Sequence, residues 1–429
     1  MTCLAFTSLW FGLSPASAGE LTLRESENLT LARDPMIEGF QAKARALSET
    51  AIADGQLPDP EIKAGIMNLP EDTFSTTQEN MTQVQIGVRQ SFPRGDTLSL
   101  RTRKGMELSE VERARRRNRG RTVLLEVRKN WLDLYYLNQA TEIIKDNKKL
   151  FRQLIDVTES LYALGRNNQQ DVVSAELELN LLEDRETEIA AMRDMAIADL
   201  ARWVGPENAS RHLPATLPEL PTPLPLNETE ARLPDHPLMQ AEDAELRASR
   251  TAIDLANELY KPKWMVDLTQ SFRQGDNTGR TDARADFLSF MVTMDVPIFT
   301  DKRQDRRVAA SRQQAAAAGF RRDDRLRELQ RTLARQYAAW NRLGERVELY
   351  EKAVLARAGQ NVEASIKAYQ SDVTDFTGLM RAQITELDTR LKWVQVRVER
   401  AKAQAAILYL SEEVYLTDDT PAPNQGSKE

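Results

Sequence analysis

Hydrophobic residues recur every three, four or seven positions between Phe299 and Tyr369, and this period predicts a long helix. The stretch contains no proline. At about 1.5 Å per residue, a helix of this kind is on the order of 100 Å long. A second helical pattern follows the polar residues 370–375 and continues to Ser411, so we predict a long helical hairpin. The apolar positions of the first helix include Leu326, Leu329, Leu333, Tyr337, Trp340, Val347, Tyr350 and Val354.

Two other regions of the chain alternate apolar and polar residues with a period of two. Residues 60–68 and 82–92 flank one polar loop, and residues 263–273 and 286–297 flank another. We predict a β-hairpin in each region. The apolar positions are Ile62, Ala64, Ile66, Val84, Ile86, Val88, Trp264, Val266, Leu268, Leu288, Phe290, Val292 and Met294.

The two halves of the chain repeat the same order of elements. Each strand pair follows a short helical segment and precedes a long helical hairpin, at 94–203 in the first half and at 298–411 in the second. Tyr162 and Tyr369, which precede the two hairpin tips, are offset by 207 residues. We interpret this as a tandem duplication of about 200 residues.

The duplication defines a domain plan. We predict a signal peptide at 1–18, a first repeat at 19–212, a proline-rich linker at 213–233, a second repeat at 234–411 and a flexible tail at 412–429.

The amino terminus and the composition indicate export. Residues 1–18 carry no charge and end in Ala16-Ser17-Ala18, which is typical of a secretory signal. Cleavage there would remove Cys3, the single cysteine, so we expect neither disulfides nor thiolate metal sites. Cys3 lies too near the start to be preceded by a lipoprotein-type site, so we expect no lipid anchor. The net charge of −7 does not suggest a nucleic-acid partner. No later run approaches the ~20 apolar residues of a membrane helix.

A four-stranded sheet with one apolar and one polar face can neither close on itself nor hide its edges. The strand lengths fit the ~9–11 residues of a membrane barrel strand. An ordinary half-buried soluble sheet is the other interpretation of the alternation. The long helical rods favour the membrane interpretation, because the strands sit at one end of rods too long to cover them.

The architecture resembles the TolC-type outer-membrane efflux protein family over nearly the whole mature chain. The resemblance rests on the duplicated order of elements, on the strand ends 91–93 and 295–299, and on the first tip, where Tyr162, Gly165, Asp171 and Ala175 follow the family spacing. The second tip departs from that pattern. Asp372 stands where the family usually has glycine, whereas Gly378 and Arg381 stand where acidic residues are common.

The resemblance implies a mainly α-helical protein with a β-barrel part. Three copies would form a 12-stranded outer-membrane β-barrel, continued by a periplasmic α-helical barrel. Such a homotrimer is a passive duct in the outer membrane of a Gram-negative bacterium. It would dock to a periplasmic adaptor (membrane fusion) protein and to an inner-membrane pump of the RND type or similar. Its cargo would be small molecules or, as in the heavy-metal branch, cations; drugs and a secreted peptide stay open.

The resemblance also assigns roles to the tips. Residues near the periplasmic gate are Tyr162, Asp171, Tyr369, Asp372, Asp375 and Arg381, and the adaptor-binding apices are Leu164, Gly165, Arg166, Val373 and Thr374. Carboxylates repeated three times would form a cation-selective ring. The simpler interpretation is that Asp171 and Asp375 start helices and that Gly165 permits a turn.

Other candidate chemistry finds no support in the sequence. The arginines between Glu112 and Arg121 lie within a helical pattern, which favours a solvated or salt-bridged face over nucleic-acid binding. His212 and His236 have no spaced partners that would form a metal site. We predict that the protein is not an enzyme and that it binds no cofactor. The alternative functions are a soluble periplasmic coiled-coil adaptor, which normally has a single hairpin, and a scaffold or enzyme on long helices.

Overall fold

The computed structural model describes residues 19–164, 168–277, 279, 282–371 and 373–411. The predicted signal peptide and tail, and the site residues Gly165, Arg166 and Asp372, lie outside the described residues. In chain order the elements are α1 (Leu23–Arg33), α2 (Pro35–Asp54), β1 (Glu61–Met67), β2 (Gln83–Phe92), α3 (Thr97–Ala163), α4 (Gln169–Val204), α5 (Pro206–Ala209), α6 (Leu226–Arg232), α7 (Pro237–Asn257), β3 (Lys263–Phe272), β4 (Phe287–Asp295), α8 (Gln304–Leu349), α9 (Leu355–Gln370) and α10 (Phe376–Ser411).

The duplicated order of strand pair and long helical hairpin is confirmed. Proline marks equivalent places in the two repeats, because Pro35 starts α2 and Pro237 starts α7. The side chain of His236 caps α7, with Nδ1 accepting a hydrogen bond from the Leu238 N–H at 3.2 Å. This buried histidine is therefore a helix cap.

The structure differs from the prediction in two places along the second long helix and in one place within the predicted linker. The helix begins at Gln304 rather than directly after Pro297, because residues 301–303 form a turn. A π-helical turn at Tyr350–Val354 separates α8 from α9. Such a turn inserts one residue without ending the helix, so the apolar pattern runs through it. Within the stretch predicted as linker, residues 226–232 form α6.

The chain divides into two compact units. The hairpin unit comprises Met1–Pro35, Arg119–Leu233 and Leu329–Glu429, and the sheet unit comprises Met36–Asn118 and Pro234–Glu328.

The sheet unit contains one antiparallel sheet in the order β1-β2-β3-β4. The register places Arg89 opposite Asp267 and Asp267 opposite Met291. At one end of the sheet, which we call the helix rim, β1 and β3 begin and β2 and β4 end; at the opposite loop rim lie the two connecting loops. Within the described residues, the outer edges of β1 and β4 have no partner strand.

The register separates an apolar from a polar face. Cross-strand neighbours such as Leu268 and Phe290 share the apolar face, and Phe290 is 69% exposed. Every residue of β4 is exposed. The apolar face has no covering layer among the described residues. Its apolar members are Ile62, Ala64, Ile66, Val84, Ile86, Val88, Phe92, Trp264, Val266, Leu268, Phe272, Leu288, Phe290, Val292 and Met294.

An ion cluster crosses three strands on the polar face. Asp267 is 5% exposed, and its Oδ1 accepts hydrogen bonds from Arg89 Nε at 2.8 Å and from Lys63 Nζ. Gly87 lies between Lys63 and Thr269 in the register, and a Cβ there would come within 2.7 Å of Thr269 Oγ1 and 3.0 Å of the Leu268 carbonyl oxygen. Glycine at position 87 therefore keeps β2 and β3 in close contact beneath the cluster.

The core of the hairpin unit is a continuous set of buried side chains from α3, α4 and α10. Trp131 is fully buried, and its indole N–H donates a 3.0 Å hydrogen bond to the carbonyl oxygen of Leu21. Arg119 forms a bidentate ion pair with buried Asp34, which supports the prediction of a salt-bridged face. Among the described residues, no helix has the length and apolar character needed to cross a membrane.

Candidate functional site at the hairpin tips

The two hairpin tips lie together in the hairpin unit. Helix α10 packs against α4, and Arg185 Nη1 lies 2.7 Å from Asp388 Oδ1 between them. Near the tips, Ala175 of α4 shares a buried cluster with Phe376 and Met380 of α10. The pairing of the tips thus comes from an apolar seam between the return helices of the two repeats.

The second tip is closed by an aromatic pair. The rings of Tyr369 and Phe376 lie 5.8 Å apart at 66°, an edge-to-face arrangement across the turn between α9 and α10. Phe376 is 1% exposed, and Tyr369 is half-buried against the same cluster. The turn also contains a 2.9 Å hydrogen bond from the Val373 N–H to the Ala368 carbonyl oxygen.

Asp375 caps α10. Its Oδ1 accepts a hydrogen bond from the Gly378 N–H at 2.9 Å, which satisfies one of the free N–H groups of the first turn. The carboxylate is exposed, so the cap leaves its charge in contact with solvent. The capping interpretation of Asp375 is confirmed, and it is compatible with a role in the gate.

The first tip is more polar. Asn168 is the N-cap of α4, but its side chain makes no capping bond to a described residue. Asp171 lies in the first turn of α4, where the positive end of the helix dipole favours a carboxylate. Tyr162 is 47% exposed, and Leu164 is 72% exposed. The residues of this tip that the structure describes are therefore available at the surface.

The remaining tip residues differ in their surroundings. Val373 is 79% exposed and Thr374 is half-buried. Arg381 is exposed on α10 and forms no ion pair with a described residue. The structure thus brings Tyr369 and Asp375 together around Phe376 and leaves Arg381 on the surface. Phe376 is not among the predicted site residues, although an aromatic residue directly after a capping aspartate is a usable signal for a packed helix start.

Ion pairs between α3 and α4 brace the first hairpin. Lys148 Nζ lies 2.6 Å from Glu186 Oε2 and 3.3 Å from Glu183 Oε1. The hydrogen bond to Glu186 is the main cause that raises the pKa of Lys148, and Glu183 adds to it. Within the part of the chain that the structure describes, no group of acidic, histidine or cysteine side chains is arranged to hold a metal ion.

Comparison with solved structures shows the fold. A membrane protein from Pseudomonas aeruginosa has a TM-score of 0.76 at 15% identity, with 90% of this chain and 93% of that chain covered. The outer-membrane channel OprN has a TM-score of 0.76 at 18% identity, with coverage of 91% and 90%. The outer membrane protein VceC from Vibrio cholerae has a TM-score of 0.76 at 15% identity, with coverage of 90% and 95%.

The second half of the chain matches the sequence model of a known family. A comparison with curated proteins finds no match. The sequence model of the family described as outer membrane efflux protein matches residues 230–411, which include the second strand pair and the second helical hairpin. This family consists of outer-membrane efflux channels and not of enzymes, as the sequence analysis predicts. Residues 230–411 therefore belong to the outer membrane efflux protein family, and the chain as a whole has the fold of the outer-membrane channels.

Proposed function

We propose that this chain is the outer-membrane duct of a tripartite efflux system and that three copies form it. The observation that carries the proposal is the sheet, which has an uncovered apolar face, a polar face and two open edges. Strands β2, β3 and β4 are nine or ten residues long, which fits a tilted strand that crosses a bilayer. Lipid is the solvent in which the apolar face of this sheet is stable.

Closure follows from the strand directions. Because the sheet has four antiparallel strands, its edge strands β1 and β4 run in opposite directions. β4 of one copy can therefore pair with β1 of the next in the same antiparallel pattern, and three copies give a closed barrel of twelve strands. Every edge is then paired, and the polar face with Lys63, Arg89 and Asp267 lines the lumen.

The hairpin tips are the proposed site of gating and of partner binding. The proposed adaptor-binding apices are Leu164, Gly165, Arg166, Val373 and Thr374. Of these, exposed Leu164 and Val373 offer apolar contacts to a periplasmic adaptor. The gate comprises Tyr162, Asp171, Tyr369, Asp372, Asp375 and Arg381. In a trimer, the exposed carboxylate of Asp375 occurs three times around the entrance, which favours cations. An inner-membrane pump of the RND type would supply the cargo, a small molecule or a metal cation, and the duct itself would be passive.

The decisive experiment compares two neighbouring residues of β4. Phe290→Arg places a charge on the apolar face, and Ser289→Arg places the same charge on the polar face. In a bilayer, a lipid-facing arginine costs about 2–4 kcal/mol near the midplane. We expect Phe290→Arg to lose most outer-membrane insertion and Ser289→Arg to keep it.

Planar-bilayer recording provides the functional readout. The detergent-extracted chain should give discrete, long-lived conductance steps, and Ser289→Arg should retain them. If the chain needs no detergent, gives no steps and tolerates both arginines equally, the duct is refuted and a soluble coiled-coil protein fits better.

A further inference from the structure

A cavity opens in the sheet unit at the helix rim. Its volume is about 820 Å³, and it lies beside the start of β1, the open edge of the sheet. Half-buried Leu98, Leu255 and Leu259 form its apolar lining, and Leu57 at its border is 50% exposed. The cavity thus presents an apolar surface next to an unpaired strand.

The cavity also contains donors without acceptors. The Ser91 hydroxyl and the Arg94 Nε are buried atoms that have no hydrogen-bond partner among the described residues. Buried donors of this kind are normally satisfied in a complete structure. Arg94 Nη2 pairs with Asp295 of the same copy, so its Nε and the Ser91 hydroxyl are the atoms open to acceptor oxygens of a group that enters the cavity.

An exposed apolar segment follows the opposite edge strand. β4 ends at Asp295 on the same helix rim, and the next residues leave the sheet without forming a helix until Gln304. Val296 is 58% exposed, Ile298 is 74% exposed and Phe299 is 80% exposed. Three large apolar side chains within four residues form a patch that water solvates poorly.

The antiparallel pairing of β4 with β1 brings these two features together. Where β4 of one copy pairs with β1 of the next, the end of β4 lies at the start of β1, because both are at the helix rim. We infer that the segment Val296–Phe299 of one copy packs into the cavity beside Leu57 of the adjacent copy. This inference rests on the proposed trimer. The contact would hold adjacent copies together at the helix rim.

The charges around the two surfaces are complementary. Asp54 and Asp59 line the cavity together with the basic residues Arg94, Arg101 and Lys263. The exposed residues that follow the apolar segment are Asp301, Lys302 and Arg303. Each surface carries both signs, so Arg101 can face Asp301 while the two aspartates face the basic pair. Acceptors on the segment, such as the Asp301 carboxylate, would also satisfy the donors of Ser91 and Arg94.

Cross-linking between differently tagged chains tests the contact. One chain carries Leu57→Cys and the other carries Ile298→Cys, and Cys3, the only natural cysteine, is replaced by alanine in both. A short bifunctional maleimide should produce a covalent dimer that contains both tags. In the matched control, one chain carries Leu57→Cys and the other carries Phe74→Cys instead of Ile298→Cys. Phe74 is 71% exposed in the loop between β1 and β2. This control pair should give no dimer, because Phe74 lies towards the loop rim.

A second measurement uses aspartate substitutions rather than cysteine cross-links. The double variant Ile298→Asp, Phe299→Asp should lower the temperature at which the trimer dissociates in detergent and raise the monomer fraction several-fold. Phe74→Asp should leave both unchanged. A trimer that conducts but gives no cross-link, or whose dissociation is unaffected by the double variant, overturns the inference and leaves the duct intact.

Contact of the segment with lipid, or failure of the chain to form a trimer, would also overturn the inference. Reaction of the Ile298→Cys thiol with a lipid-anchored maleimide in the assembled trimer would show that lipid covers the segment, which overturns the inference. If the unmodified chain forms no trimer at all, the proposed function fails, and this contact fails with it.

Discussion

The aromatic pair at the second tip is the part of the proposed gate that can be tested quantitatively. Tyr369 and Phe376 lie on opposite sides of the α9–α10 turn with their rings 5.8 Å apart. Because Phe376 is buried in the seam between α4 and α10, opening of the tips would separate it from its neighbours. We predict that Tyr369→Ala, Phe376→Ala and the double variant shift the duct towards its open state.

The expected size follows from the geometry. An edge-to-face pair contributes about 0.5–1.5 kcal/mol beyond its buried area, which corresponds to roughly a 2- to 12-fold change in an equilibrium constant. Removal of a buried phenylalanine costs about 3–5 kcal/mol in total, so Phe376→Ala should have the larger single effect. The double variant should fall short of the sum of the single effects by the pair energy.

Open probability in planar bilayers is the assay, since it reports the ratio of open to closed ducts. The chain offers a matched control in Tyr337 and Trp340, whose rings lie 6.3 Å apart at 84° on α8. Alanine substitutions of this second pair should lower thermal stability and leave the open probability unchanged.

Two results would refute the reasoning. If the single variants at Tyr369 and Phe376 add without coupling, the rings do not act as a pair. If the control pair changes the open probability as much as the tip pair does, the effect is a general loss of stability rather than release of a gate.

Three further predictions concern charged groups of the hairpin unit. Asp375→Asn keeps a capping acceptor without the charge, whereas Asp375→Ala also loses the cap, at about 1 kcal/mol. Reversal potentials should show reduced cation preference in both variants and reduced thermal stability only in the second; an unchanged potential would remove this carboxylate from the gate. Arg119→Leu removes the bidentate contact with Asp34 at 2.7 and 3.1 Å, so the melting temperature should fall, by the equivalent of about 1.5–3 kcal/mol for hydrogen bonds to a charged group; an unchanged value would contradict the pair's role. The hydrogen bond from Arg211, helped by its charge, lowers the pKa of Glu25 below the ordinary 4.5. The ionised group therefore stabilises the fold above its unfolded-state pKa, and the benefit is lost as the pH falls through the folded-state pKa. The stability difference between the unmodified chain and Glu25→Gln should be present at about pH 7 and shrink as the pH falls below 4.5; a difference that does not change with pH would contradict the assignment.

The sheet was predictable because its pattern is local. Leu288, Phe290, Val292 and Met294 recur at every second position, with Ser289, Thr293 and Asp295 among the residues between and after them, and a period of two is readable over a single strand. The duplication predicted the two hairpins, whereas the pairing of β2 with β3 that joins them was not predicted. The ion pairs of Asp267 with Lys63 and Arg89 were not predictable, because they join residues that are far apart in the sequence and meet only when the register is set.

The breaks in the second long helix were also hidden from the sequence. Val296, Ile298 and Phe299 continue the apolar pattern of β4, and nothing in their spacing separates a strand exit from a helix start. The π-helical turn at Tyr350–Val354 preserves the helix direction and hence the apolar stripe.

The duplication predicts which tip residues are equivalent, but it does not predict which of them are buried or cap a helix. At the offset of 207 residues, Asn168 corresponds to Asp375 and Gln169 corresponds to Phe376. Only the second member of each pair closes its tip, since Asp375 caps α10 and Phe376 is buried, whereas Gln169 is exposed. Among the described tip residues, the packing therefore comes mainly from the second hairpin. Substitutions at its aromatic pair should therefore raise the open probability of the duct more than a substitution of Tyr162, the exposed gate residue of the first tip.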